Sequence, residues 1–111
     1  MVDPIPFRRP INWADLHAKD AERIVRDRVK TPANVIFGTH AWERANERSI
    51  TFDDVFTILE SGHIDGSPVK TAHGEWKCTL TRRIVGTRSA GVVTIILRRD
   101  KLFIKTIMWM D

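Results

Sequence analysis

Apolar and polar positions change rhythm twice along this chain. Trp13, Leu16, Ala21, Ile24 and Val25 recur at close to helical spacing, predicting a helix over roughly 13–29 with Asn12 as its N-cap. Asp15 in the first turn and Arg26, Arg28 and Lys30 in the last complement the helix dipole, and Pro32 ends the helix. Val35-Ile36-Phe37 is a short β-branched and aromatic run, read as one strand closed by Gly38. A helix capped by Thr39 follows over 40–47, and Ser49-Ile50 breaks it. Thr51 and Asp54 then form a capping box for a third helix, with an apolar stripe at Val55, Ile58 and Leu59 and a stop at Gly62.

From Trp76 the period becomes two. Trp76, Cys78, Leu80 and Ile84 alternate with Lys77, Thr79, Thr81 and Arg83, the pattern of a half-buried antiparallel strand. Residues 91–97 are apolar on both faces, as in a central strand; 98–101 turn a hairpin, and 102–109 return. Pro4, Pro6 and Pro10 make the first eleven residues irregular. The expected fold is α+β: an antiparallel sheet of three to five strands with helices on one face. Residues 1–34 form an N-terminal arm and helix, and 35–111 the core of one compact domain overall.

Length and composition fit that picture. The chain has 111 residues, 42% hydrophobic and 29% charged, enough for one domain. No apolar run approaches the ~20 residues of a membrane span, and the first residues lack the apolar core of a signal peptide, so a cytoplasmic location is expected. Cys78 is the sole cysteine, which excludes an intrachain disulfide and a cysteine-rich zinc framework. His17, His63, His73 and Cys78 have no ligand spacing, so neither a metal nor a cofactor is expected.

Charge is unevenly spread within a net +4. Residues 31–68 carry two Lys/Arg against six Asp/Glu, whereas 69–111 carry nine against three. The last third is therefore basic and strand-rich, suited to a polyanion or, more simply, to a solvated sheet face. Within the acidic middle, His40, Arg44 and Arg48 stand four residues apart and form one stripe on a helix. Such a stripe costs a few tenths of a kcal/mol per like-charged pair, so a carboxylate, a sheet edge or an anionic ligand should offset it.

The stretches HAWERANERSITFDDVFTILESGHI, GEWKCTL, GVVTIIL and LFIKTIMWMD together resemble the bacterial family known as domain of unknown function 4258 over roughly residues 35–110. That family is grouped with the barnase–EndoU–colicin–RelE ribonuclease-like fold. The resemblance implies a RelE-like sheet with an extra N-terminal helix, and a small basic ribonuclease-like domain of the toxin kind that cleaves RNA without metal. It places His40, Arg44 and Arg48 on the family's helical motif, Thr106 on its last strand and Lys77 on its first long strand. Ser49 stands where a glycine is usual; in a left-handed conformation it would cost on the order of 1 kcal/mol.

Metal-free cleavage needs the ribose 2′-OH aligned, protons moved and charge on phosphorus stabilised. His40 suits proton transfer, Arg44 and Arg48 the phosphate charge, and Thr106 phosphate orientation. Lys77, Arg82, Arg83 and Lys105 are the candidate nucleic-acid contacts. The expected partners are RNA and a small acidic antitoxin protein, with no membrane. Each residue also has a structural alternative. His40 could serve its helix start, Arg44 could pair with Glu47 or Asp53 and Asp54, and Arg48 could satisfy carbonyls at the helix end. The alternative function is a non-enzymatic module binding nucleic acid or protein through the same sheet, and the N-terminal helix could lie across that sheet.

Overall fold

The computed structural model describes residues 11–110, so the proline-rich start expected to be irregular lies largely outside the described residues. Three helices, α1 (Ala18–Val29), α2 (Thr39–Glu47) and α3 (Phe52–Ser61), precede most of the sheet. The strands are β1 (Val35–Phe37), β2 (His63–Ile64), β3 (Val69–Lys70), β4 (Trp76–Val85), β5 (Arg88–Ile96) and β6 (Leu102–Trp109). Their order is β1-β6-β5-β4-β2, with β3 also on β4. The class is α+β as expected, but the sheet has six strands rather than three to five. The two extra ones, β2 and β3, are two-residue pairings with β4 that carry no periodicity to read.

Strand β1 pairs with β6 in parallel, Val35 beside Leu102 and Phe37 beside Ile104, while every other pairing is antiparallel. All three helices contribute to one core. Ala21, Ile24 and Val25 of α1, Ala41 and Ala45 of α2, and Val55, Ile58 and Leu59 of α3 join Cys78, Leu80, Val92, Ile96, Ile104 and Ile107 of the sheet. The alternation read for β4 is the one found: Trp76, Cys78 and Leu80 are buried and Lys77, Thr79 and Thr81 only half so.

Two helix starts differ from expectation. Helix α1 begins at Ala18, not near Trp13, because Asn12 is used in a turn: its Oδ1 accepts from the Ala14 amide and its carbonyl from the Asp15 amide. The turn lets Trp13 donate its indole N–H to Gly74 O at 3.1 Å while its own carbonyl accepts from the Trp76 indole at 2.6 Å. That reciprocal pair fastens the approach to α1 onto the start of β4. Helix α2 starts one residue early, so Gly38 rather than Thr39 is its N-cap, without a side-chain bond.

The capping box at Thr51 and Asp54 is complete, Thr51 N to Asp54 Oδ2 at 2.9 Å and Asp54 N to Thr51 Oγ1 at 3.1 Å. Ser49 has φ 55°, the left-handed conformation that lets the chain reverse between α2 and α3. Gly62 stops α3 for a different reason than a left-handed turn. Its φ is −78°, but a Cβ there would lie 2.6 Å from Ile58 O and 2.8 Å from Thr81 O, so only glycine lets α3 end against β4.

Two substitutions test these readings by thermal and denaturant unfolding. Ser49→Gly should stabilise the fold by up to about 1 kcal/mol, since glycine adopts the left-handed region freely. Gly62→Ala should destabilise it by roughly 1–3 kcal/mol, the cost of overpacking against backbone.

Candidate nucleic-acid interface

The helical stripe meets internal partners. Burial of Ala41 and Ala45 turns α2 toward the core and leaves His40 and Arg44 at the surface. His40 is 84% exposed, its Nδ1 3.9 Å from Glu43 Oε2. Arg44 pairs with Glu47 at 3.0 Å, both side chains about half exposed. Arg48 reaches further: its guanidinium donates to the Ile107 carbonyl, and its own carbonyl accepts the Trp109 indole N–H at 3.1 Å.

That contact has a topological cause. Strand β1 covers β6 only at Leu102–Ile104, so the outer edge of β6 beyond Ile104 lacks a strand. A guanidinium from the end of α2 supplies the donor that a neighbouring strand would have supplied. Carboxylate and sheet edge thus both offset the charge of the stripe.

The opposite face of the sheet carries no helix among the described residues. Here Lys77, Thr79, Thr81 and Arg83 of β4 stand opposite Ile95, Val93, Gly91 and Ser89 of β5. On β6, Phe103, Thr106 and Met108 continue the same rows beside Ile95, Val93 and Gly91. One row runs across five strands, Ile36–Phe103–Ile95–Lys77–Val69. Its ends are open, Ile36 43% and Val69 57% exposed. The next row is Thr106–Val93–Thr79. None of these strand positions is acidic.

The expected site therefore divides. Lys77, Arg83 and Thr106 share the open face. His40, Arg44 and Arg48 belong to a helix packed on the other side, and no hydrogen bond or ion pair among the described residues links the two sets. Arg82 stands opposite Ala90, in line with Cys78 and Leu80, so it lies on the other face of β4 from Lys77, because strand neighbours face opposite ways. Lys105 is exposed at the register shift where Val93 pairs with Thr106 but Thr94 with Ile104, so its residue is extra to the ladder. Helix α1 packs against α3 and β2 on the helical side, so it does not lie across the open face. Ile36 and Val69 were not recognised from sequence as part of this surface, because only strand pairing aligns them; the apolar β-branched run at 35–37 was the one available signal.

Partly buried polar groups close the edges of the same sheet. Glu22 of α1 accepts from the Ile64 amide of β2 at 2.8 Å and from Arg26 at 3.3 Å. Burial raises its pKa, but these two donors together with His63 outweigh it and hold the carboxyl below its ordinary value. Arg28 donates to Leu97 O at 2.6 Å and Lys101 O at 2.9 Å in the β5–β6 turn, and burial lowers its pKa despite Asp100 and Asp27. Burial, with a smaller contribution from Glu22, pushes the Cys78 thiol up to about 12, which suits an inert core residue. Among the described residues no three His, Cys, Asp or Glu side chains are grouped as a metal ion would require. No described helix is long and apolar enough to cross a membrane.

Comparison with known proteins gives one match. The model of the family described as Domain of unknown function (DUF4258) matches residues 37–109. No curated protein and no solved structure matches the chain.

Two arginines on the same stripe should behave differently. Arg48→Met, which strands the Ile107 carbonyl, should destabilise by about 1–3 kcal/mol. Arg44→Met, which removes a half-exposed pair, should change stability by no more than about 0.5 kcal/mol in denaturant unfolding. For Glu22, whose folded pKa is depressed, the stabilisation is present above the unfolded value of about 4.3 and lost as pH falls through the folded one. Glu22→Gln should therefore be less stable than the wild type at neutral pH, and the gap should narrow on acidification in unfolding curves measured from pH 7 downward.

Proposed function

Because the chain belongs to the DUF4258 family, whose description names no activity, we propose its function from the geometry: a non-enzymatic module that binds RNA through the open sheet face. The carrying observation is the absence of any carboxylate among that face's strand positions, combined with Lys77 and Arg83 on one strand. Phosphate contacts dominate affinity for nucleic acid, and a surface without like charge favours them. Phe103 and its apolar neighbours supply flat surface against which unpaired bases stack, while the hydroxyls of Thr79, Thr81 and Thr106 offer hydrogen bonds to phosphate or sugar. A mostly antiparallel sheet with its helices packed on one face is also what the ribonuclease-like, RelE-like grouping implies, and it supports the choice of face.

Cleavage by His40, Arg44, Arg48 and Thr106 is the weaker reading. It needs groups from both sides of the sheet to meet at one phosphodiester, and two of the four are already engaged with Glu47 and Ile107. The exposed ends of the apolar row favour a different second reading, in which a small acidic protein covers the same face, as an antitoxin would.

Fluorescence anisotropy with a labelled single-stranded RNA of about 12 nucleotides tests the proposal. Binding should weaken with salt, and Lys77→Gln and Arg83→Gln should each weaken it severalfold and lower the salt slope by about one. Undetectable binding at low salt, or binding unchanged in both variants, overturns it. RNA cleavage lost specifically in His40→Ala would instead reinstate the helical set.

A further inference from the structure

A pocket of about 400 Å³ lies away from the open face, between α2 and α3. It is lined by the aromatics Trp42 and Phe52, the buried Ala45 and Ile50, and the exposed polar residues Asn46, Ser49 and Thr51. Trp42 is 52% exposed and Phe52 37%, although both are large aromatics. Their rings lie 4.5 Å apart, and Phe52 is backed by Phe37 at 4.6 Å, which fixes the ledge they form. A half-exposed tryptophan beside a small apolar hollow with a polar rim is how interface anchors present themselves.

The charge around the pocket restricts what can enter. Residues 39–61 hold Glu43, Glu47, Asp53, Asp54 and Glu60 against Arg44 and Arg48, an acidic tract in a basic protein. Arg44 is already matched by Glu47, and Arg48 turns away to Ile107. Glu43 and Asp53, the exposed neighbours of Trp42 and Phe52 in sequence, are the charges nearest the ledge along the chain. A polyanion is disfavoured there. A segment combining one large apolar side chain with Lys or Arg gains burial in the hollow, attraction to the carboxylates and a cation over the indole face.

We propose that the α2–α3 pocket docks a basic peptide segment of a protein partner, which lays one large apolar side chain against the Trp42–Phe52 ledge, in the hollow lined by Ala45 and Ile50. This site is independent of the RNA-binding face, so either can fail without the other.

The test is an amide and indole NMR titration of the intact chain with N-acetyl-Phe-Arg-Arg-amide, and with N-acetyl-Phe-Glu-Glu-amide as control. The basic peptide should bind in the millimolar range expected of so small a ligand, shifting the resonances of Trp42, Asn46, Ser49 and Ile50. Affinity should fall about tenfold in Trp42→Ala. It should fall severalfold in Asp53→Asn, which keeps the capping box and so keeps the fold. No shift at these residues, equal binding of the two peptides, or unchanged affinity in both variants overturns the proposal. Sedimentation showing that the free chain self-associates, and that Trp42→Ala abolishes this, also overturns it, because the occupant would then be a second copy.

Discussion

The organising constraint is that all three helices pack on the same side of one sheet. Alternation along β4 and β6 gives each strand a core face and a free face, and Ala41, Val55 and Ile24 all reach the core from one side. The described chain has no second helical layer to cover the other side. What lies there must be compatible with water, and it is: threonines, Lys77 and Arg83 surround the apolar row. The strand positions of that face carry no carboxylate, whereas solubility alone favours both signs of charge.

The arginines show how charge can be put to structural use in a basic protein. Arg26 donates to the carbonyls of Glu60 and Gly62, at the end of α3. Arg28 does the same in the β5–β6 turn, and Arg48 at the β6 edge. Each occupies a place where regular structure stops and carbonyls come free of a helix or ladder. A guanidinium on a long stem can reach such groups while its charge stays partly hydrated. The spacing of His40, Arg44 and Arg48 resembles that of a phosphate grip. Its outcome is one exposed imidazole, one intrahelical pair and one edge contact.

The elements with strong local signals were legible in the sequence. The capping box at Thr51 and Asp54, the 35–37 strand, the 102–109 strand and the alternation of β4 all depend on neighbours within a few residues. What escaped depends on distant pairing. The two-residue strands β2 and β3 exist because the side of β4 away from β5 is an edge that takes no long strand. The parallel pairing of β1 with β6 joins segments more than sixty residues apart. The start of α1 was misplaced because Trp13, apolar and at helical spacing, serves a contact with Gly74 rather than a helix face. For the candidate site, residue types were legible but faces were not: Arg82 and Arg83 are adjacent in sequence and opposite in space.

The region that matches the family begins at residue 37, yet the folded unit does not begin there. Leu16, Ala21, Ile24, Val25 and Val29 lie in the shared core, and Arg28 holds the β5–β6 turn. A fragment cut at the limits of similarity would expose the flank of α3 and the start of β4 to solvent and leave that turn without the Arg28 guanidinium. Sequence similarity and packing have different borders in this protein, and the whole of α1 lies between them.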